Sequence, residues 1–176
     1  MSGYYFVRAM SQTEDDFNVF FKNNVVAVGW SQVDFSKYDV QEVIRRVTEI
    51  YYPSTVAPQF AGRKKSEIAQ FKAMKPEAKI LVPYYSFVRL AIAEAKEVYE
   101  PAFAKTLDLS NQRKVKYLSG DDGGLRTIPR EKLTEGLQRR LRMRGSTICN
   151  LAEFADEIDA LFAGELPEDR FFALEG

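Results

Sequence analysis

Trp30 is the only tryptophan of the chain, and its type and position indicate a possible role in binding. It ends a short apolar run, rich in β-branched residues, that begins at Val25. Such a run predicts a buried strand. The indole is flat and carries one N–H donor, so at the mouth of a small β-barrel it could stack on a planar ligand. The other interpretation is that Trp30 fills one end of the core, and the strand alone leaves both open.

The residues that most enzymes use are scarce in this chain. It has no histidine and a single cysteine, Cys149, which excludes His-dependent triads and argues against a transition-metal site. Magnesium bound by carboxylates is compatible with the composition, but no tight cluster of Asp and Glu stands out. The glycine-rich segment 120–124 is typical of a turn and not of a phosphate-binding loop. We therefore expect a protein that is not an enzyme and that needs no cofactor or metal.

Hydrophobic periodicity predicts the elements that would position these residues. Strands are expected over 3–9, 25–30, 79–83, 87–99 (with a bend midway), 113–118 and 125–128, although the alanine-rich stretch from Leu90 to Lys96 is also compatible with a helix. Helices are expected over 11–22, 39–52, 66–74, 133–143 and 150–163, and residues 53–65 are expected to form a loop or a broken helix. Ser11 with Glu14, Asp39 with Glu42, and Asn150 with Glu153 have the spacing of helix-capping pairs.

This order of elements predicts an α+β fold, in which a small, mostly antiparallel β-barrel is decorated by helices. The barrel with its inserted helices is expected over 1–130, a basic helix with an acidic amphipathic helix packed on it over 131–163, and a tail over 164–176. No apolar run approaches the roughly 20 residues of a membrane span, and the N-terminus lacks the layout of a signal peptide. Together with the single cysteine, this favours a cytoplasmic location and no membrane partner.

The order of several short motifs resembles the EVE-like domains of the PUA superfamily. Such domains occur at the N-termini of modification-dependent and Mrr-type restriction proteins, and also alone. The resemblance covers residues 3 to about 145. The motifs are Arg8-Ala9, the segment from Asn24 to Trp30, Tyr52-Pro53, Gln70-Phe71, the segment from Ile80 to Pro83, the segment from Arg113 to Tyr117, and Ile128-Pro129-Arg130.

The resemblance implies that the barrel holds a nucleotide base, sometimes a modified one, that is flipped out of a duplex or taken from a single strand. Extruding a base costs a few kcal/mol, which stacking and hydrogen bonds to the base edge must offset. Stacking contributes roughly 1–3 kcal/mol per base. The residues implied to stack are Trp30, Tyr84 and Tyr85, and those implied to read the base edge are Ser31, Ser86 and Asn111.

Two of these assignments leave alternatives open. Phe71 belongs to the core or faces the pocket. Strand alternation points Tyr84 and Tyr85 to opposite sides, so each is expected in the pocket or else in the core or on the surface.

Charge is distributed unevenly, although 25 basic and 25 acidic residues cancel. Ten basic residues lie between Arg113 and Arg144, and acidic residues dominate from Glu153 onward. Under the resemblance, basic side chains would contact phosphates, which is a sequence-independent and salt-sensitive contribution. Alternatively, the arginine-rich helix pairs with the acidic last helix within one chain or across a dimer. The candidate phosphate contacts are Arg63, Lys64, Lys65, Arg113, Arg139, Arg140, Arg142 and Arg144.

The expected function is therefore a non-catalytic nucleic-acid-binding module that captures a base in an aromatic pocket. DNA is favoured over RNA as the partner, and the module would be the specificity part of a restriction or defence system. The alternative is a PUA-like structural or protein-interaction domain with no nucleic-acid ligand, which binds a protein partner or forms a homodimer through its C-terminal helices.

Overall fold

One seven-stranded sheet and five α-helices make up the described part of the protein. A computed structural model describes residues 3–53, 58–143 and 145–167, and the side chains of all of these except 58–61. The strands are Tyr4–Val7 (β1), Val25–Val28 (β2), Lys79–Tyr84 (β3), Phe87–Tyr99 (β4), Asn111–Tyr117 (β5), Thr127–Pro129 (β6) and Ile148–Asn150 (β7). The helices are Glu14–Asn23 (α1), Val40–Tyr51 (α2), Pro58–Ala73 (α3), Glu135–Leu141 (α4) and Ala155–Phe162 (α5).

The sheet is mixed and open. Its strands follow the order β2-β5-β4-β3-β1-β7, and β6 pairs with β4. Only the β1–β3 pairing is parallel among the described strands. The predicted α+β class and the mostly antiparallel pairing are therefore confirmed. The predicted barrel is not, because the outer strands β2 and β7 do not pair with each other within the described ranges, and a barrel requires that closure.

Strand β4 is the longest strand and bends midway, as the sequence predicts. Its first half pairs with β3 and its second half with β5, and the register with β5 shifts between Ala93 and Glu97. A shift of this kind inserts residues on one strand, which bends it and increases the local twist. The first residues of β4 also pair with β6, where Phe87 lies opposite Pro129.

The two faces of the sheet carry separate cores, because successive side chains in a strand point to opposite faces. On one face, Ile80 and Val82 pack with α1, α2, α3 and the segment that follows β2. On the other face, Leu81 packs with α4 and α5, whose buried residues include Leu137 and Ile158. Helices α4 and α5 thus cover one side of the sheet, and β7, which lies between them in the chain, joins that sheet beside β1.

Helix starts follow their capping residues, which the sequence identified in one case and missed in another. Asp39 caps α2 as predicted, since its carboxylate accepts a hydrogen bond from the amide of Glu42 at 2.9 Å. The predicted Ser11 cap of α1 is wrong. Thr13 is the cap, and its hydroxyl accepts from the amide of Asp16 at 3.2 Å. The Asp16 carboxylate accepts a hydrogen bond from the amide of Ser11 at 2.8 Å, and the cap of α1 lies two positions later than expected.

Two other boundaries differ from the expectation. Helix α3 begins at Pro58, earlier than the expected start at Ser66, and a proline is tolerated in the first helical turn because the amides there have no intrahelical partner. Asn150 does not begin the last helix directly. It ends β7 and accepts from the amide of Ala152 at 2.8 Å, ahead of a short 3-10 turn and then α5. Of the expected tail, residues 168–176 lie outside the described residues. None of the helices in the described ranges is long and apolar enough to cross a membrane.

Candidate functional site

Trp30 lies in the core of the first sheet face. The side chain is 8% exposed, and its ring stacks on Phe35 with centroids 6.1 Å apart and planes 18° apart. The indole N–H donates to the hydroxyl of Tyr52 at 2.8 Å. The backbone of Trp30 has φ of 56°, a left-handed conformation that is uncommon for a bulky residue. The structure therefore agrees with the interpretation that Trp30 belongs to the core. Its N–H donor has a partner, and little of its ring is exposed.

Asn111 holds the segment that follows β2 in place. The residue is buried, and its side-chain oxygen accepts from the amide of Phe35 at 3.0 Å. Its amide nitrogen donates to the carbonyls of Gly29, Trp30 and Val33 at 2.9, 3.2 and 3.0 Å. These bonds use both the donor and the acceptor capacity of the side chain. Asn111 is thus occupied by the backbone and is not presented to a ligand.

Ser31 and Phe71 are also buried on this side of the molecule. The Ser31 hydroxyl accepts from the amide of Ser110 at 3.1 Å, and the Ser31 amide donates to the carboxylate of Asp108 at 2.9 Å. Phe71 contacts Phe35 edge-on, with centroids 6.2 Å apart. Of the two alternatives for Phe71, the structure shows the core position.

The turn between β3 and β4 carries exposed aromatic side chains. Tyr85 is 52% exposed and Phe87 is 37% exposed. Tyr85 has φ of 53°, a conformation that hairpin turns usually assign to Gly or Asn. A bulky residue held in this region carries strain, and strained residues cluster at functional sites. Trp30 shares this backbone conformation but is buried, so it is the exposure of this turn that makes it the stronger candidate for ligand contact.

Tyr84 and Tyr85 do not point to opposite sides, which corrects the expectation from strand alternation. Both rings contact Phe17, with centroids 4.8 and 5.0 Å from it, and they contact each other at 4.9 Å. The alternation fails because Tyr85 lies in the turn and not in the strand. Tyr84 packs inward, where the Arg89 guanidinium lies 4.4 Å from its ring centroid. The hydroxyl of Tyr85 donates to the Glu14 carboxylate at 3.0 Å.

An open cavity of about 430 Å³ lies beside this turn. It brings together Ser86 and Arg142, which the sequence analysis named separately. Its position follows from the pairing of β4 with β6, since the amide of Arg130 donates to the carbonyl of Ser86 at 2.9 Å. The cavity is lined by Ser86, Phe87, Pro129, Arg130, Glu131, Gln138 and Arg142.

Three arginines make this region electropositive. Burial lowers the pKa of Arg130 from its usual value, and the charge of Arg142 lowers it further. Burial likewise lowers the pKa of Arg8, with a further contribution from the charge of Arg130. Arg8 donates to the carbonyls of Met143 and Ser146, and Arg130 donates to the carbonyl of Tyr85. Within the described ranges none of the three forms an ion pair with a carboxylate, so no direct contact neutralises their positive charge.

The other arginines of α4 pair with acidic residues. Arg139 forms an ion pair with Glu135 at 3.2 Å, and Arg140 pairs with Glu153, which precedes α5. Thr134 adds a second link between these helices, because its amide donates to Glu157 at 3.0 Å. For Arg140 the structure thus shows the intrachain pairing that the sequence analysis kept as the alternative to phosphate contact.

The remaining predicted phosphate contacts are spread over the molecule. Arg113 is only 4% exposed, and its guanidinium donates to the carbonyl of Glu94 at 2.5 Å. Lys64 forms an ion pair with Glu67 at 3.0 Å. Arg63 and Lys65 are exposed on α3. A guanidinium nitrogen of Arg63 lies 2.9 Å from the position that a Cβ atom would take at Gly145. Arg144 lies outside the described residues.

Five residues of the cavity were not identified as a site from the sequence. Arg130 appeared there as part of a motif and of the basic segment, but nothing local linked it to Ser86. The strand pairing Phe87 to Pro129 and the packing of α4 create the cavity, and both are non-local. The missed residues are Phe87, Pro129, Arg130, Glu131 and Gln138.

The described residues contain no group of three or more His, Cys, Asp or Glu side chains that could hold a metal ion. The chain matches no protein-family model, and its sequence matches no curated protein. The cavity beside the β3–β4 turn is therefore interpreted from its own geometry.

Proposed function

We propose that the protein is a non-catalytic nucleic-acid-binding module, and that it binds at the cavity beside the β3–β4 turn. One observation carries the proposal: Arg130 and Arg142 line this cavity without a carboxylate partner in the described ranges, next to exposed aromatic side chains. Arginines of this kind bind phosphate, and aromatic rings bind bases. The partner we favour is DNA, with the base presented from a single strand or flipped out of a duplex.

The cationic side of the cavity supports a polyanionic ligand. Burial lowers the pKa values of Arg8 and Arg130, and the charge of a neighbouring arginine lowers them further, so an anion bound here would stabilise the charged guanidinium groups. A phosphate between Arg130 and Arg142 would relieve the repulsion between them. A guanidinium also matches phosphate geometry through two parallel hydrogen bonds.

The apolar side of the cavity supports a planar ligand. Phe87 lies opposite Pro129 on neighbouring strands, and both line the cavity. The volume of about 430 Å³ falls in the range of roughly 300–1,000 Å³ that small-molecule sites occupy, so one nucleotide fits. A base stacked on Phe87 gains roughly 1–3 kcal/mol.

The finer architecture and the biological setting belong to the same proposal. We infer an open variant of the PUA/EVE-like barrel, because the pairing is mostly antiparallel and the motifs of that family follow one another in order along the chain. We further propose that the chain recognises the target base for a restriction or defence system in the cytoplasm.

The test is the binding of a short, mixed-sequence single-stranded DNA with a fluorescent label, measured by anisotropy over a series of KCl concentrations. We expect binding that weakens as salt rises, because counterions are released. Arg142→Gln is expected to lower the slope of log affinity against log salt by about 1. Arg45→Gln is the matched control, since Arg45 pairs with Glu42 and Glu49 on α2. Absence of binding at low salt, or an equal effect of both variants, would overturn the proposal.

A second candidate function is protein interaction through the C-terminal helices. Its supporting observation is an open cavity of about 400 Å³ between α4 and the turn before α5, lined in part by Met143 and Phe154. Met143 is among the few large apolar side chains that are exposed. Sedimentation of the protein alone tests its homodimer form. A monomer over the accessible concentration range would exclude a homodimer at this surface.

A further inference from the structure

The cavity proposed to bind nucleic acid also contains a carboxylate. Glu131 lines the cavity, directly after Arg130, and its side chain is exposed. In the part of the chain that the structure describes, Glu131 forms neither a hydrogen bond nor an ion pair. A carboxylate in a site for a polyanion opposes phosphate binding. Glu131 would therefore contact a part of the ligand other than the phosphate.

Gln138 adds a second acceptor to the same cavity. Its amide nitrogen donates to the carbonyl of Leu133 at 2.8 Å, which leaves the side-chain oxygen as an acceptor. The cavity therefore combines cationic donors, Arg130 and Arg142, with acceptors, Glu131 and Gln138. A ligand that fits this combination carries both a negative group and hydrogen-bond donors.

Nucleotides differ in how well they meet this requirement. Cytosine, adenine and guanine present an exocyclic amino group on the edge used in base pairing, and an ionised carboxylate accepts hydrogen bonds but donates none. Thymine and uracil present two carbonyl oxygens that flank a single N–H. Those carbonyls repel a carboxylate, so the two classes of base differ in their interaction with Glu131.

We propose that Glu131 is a specificity residue, which selects a base with an amino group on its exposed edge in preference to thymine or uracil. The selection rests on the proposed function, since it operates only if the cavity binds a nucleotide. In the bound state the phosphate lies at Arg130 and Arg142, the ring lies against Phe87, and the amino group donates to the Glu131 carboxylate.

The test compares oligodeoxycytidine with oligodeoxyuridine of equal length at neutral pH. The two share one backbone and one ring size, so a difference in affinity reports the base edge. The wild-type protein is expected to bind the cytidine oligomer about five- to tenfold more tightly. Glu131→Gln is expected to remove this preference, because a carboxamide both donates and accepts and so pairs with either edge. Glu131→Ala is expected to remove it and to strengthen binding of the uridine oligomer.

Glu135→Gln is the control, since Glu135 is an exposed carboxylate of α4 that does not line the cavity and pairs with Arg139. This variant is expected to keep the preference. Equal binding of the two oligomers by the wild-type protein, or a preference that survives in Glu131→Gln, would overturn the selection by Glu131 and leave the proposed function standing. If neither oligomer binds, the selection and the proposed function fail together.

Discussion

The indole N–H of Trp30 donates a hydrogen bond to the hydroxyl of Tyr52 at 2.8 Å. Trp30 follows β2 and Tyr52 follows α2, so this bond joins the exit of an outer strand to the end of a covering helix. It also provides the partner that a buried tryptophan requires. The bond therefore identifies Trp30 as a residue that stabilises the fold, and it moves the candidate ligand site to the cavity beside the β3–β4 turn.

Tyr52→Phe is expected to destabilise the protein without changing its affinity for DNA. The substitution leaves the buried indole N–H without a partner, which costs about 1–3 kcal/mol. Urea denaturation followed by Trp30 fluorescence measures the free energy of unfolding. Tyr51→Phe is the control, because the hydroxyl of Tyr51 accepts from the amide of the exposed Gln32 and its loss is expected to cost less. An equal or smaller effect of Tyr52→Phe would contradict this account of Trp30.

Asn111→Ala is expected to be more damaging than Tyr52→Phe. It removes the bonds to three carbonyls and to one amide, all in the segment from Gly29 to Phe35. Each buried group left unsatisfied costs about 1–3 kcal/mol, so a loss of at least about 3 kcal/mol is expected. Thermal and urea unfolding measure it. Asn150→Ala serves as the comparison, because Asn150 is exposed and satisfies a single amide. A loss of stability no larger than that of Asn150→Ala would show that the segment from Gly29 to Phe35 keeps its conformation without Asn111.

Stability at low pH is expected to depend in part on Glu42. Hydrogen bonds from Arg45, and then from Arg46, lower the pKa of the Glu42 carboxyl from 4.5 to about 2. Because the folded-state pKa is the lower one, the contribution to stability is present above pH 4.5 and is lost as the pH falls toward 2. Glu42→Gln should lack this part of the acid dependence. The check is the melting temperature of both proteins over this range at low salt, and parallel curves would contradict the prediction.

Elements defined by local chemistry could be predicted from the sequence, and those defined by distant pairing could not. The start of α2 follows from Asp39 and its end from Tyr52-Pro53, all within one segment. Strand β7 has only three residues and owes its existence to pairing with β1, at the opposite end of the chain. The parallel pairing of β1 with β3 is equally non-local, and these pairings produce an open sheet in place of the expected barrel.

The candidate site likewise contains residues that the sequence could identify and residues that it could not. The resemblance and the charge pattern singled out Ser86 and Arg142, and both line the cavity. Their neighbour Phe87 was missed, since only its pairing with β6 places it beside Arg130. The sequence left Trp30 either in the core or in a pocket, and it could not decide between them because the hydroxyl that bonds the indole belongs to another element.

Phe87→Leu is expected to weaken DNA binding while preserving the fold. Leucine retains an apolar side chain at a position that is already 37% exposed, so we expect the free energy of unfolding to change by less than about 1 kcal/mol. Loss of the aromatic ring removes stacking worth roughly 1–3 kcal/mol, which corresponds to a fall in affinity of about fivefold or more. Anisotropy titration measures it, and an affinity equal to that of the wild-type protein would show that no base stacks on Phe87.

The location of the bound nucleic acid is tested most directly by NMR titration of the isotopically labelled protein with the mixed-sequence single-stranded DNA. The account predicts that the largest backbone amide shifts lie at residues 85–87, 130–131 and 138–142, around the cavity. Shifts concentrated at residues 30–35 and 46–52, with the cavity residues unperturbed, would contradict it and return the site to the segment that contains Trp30.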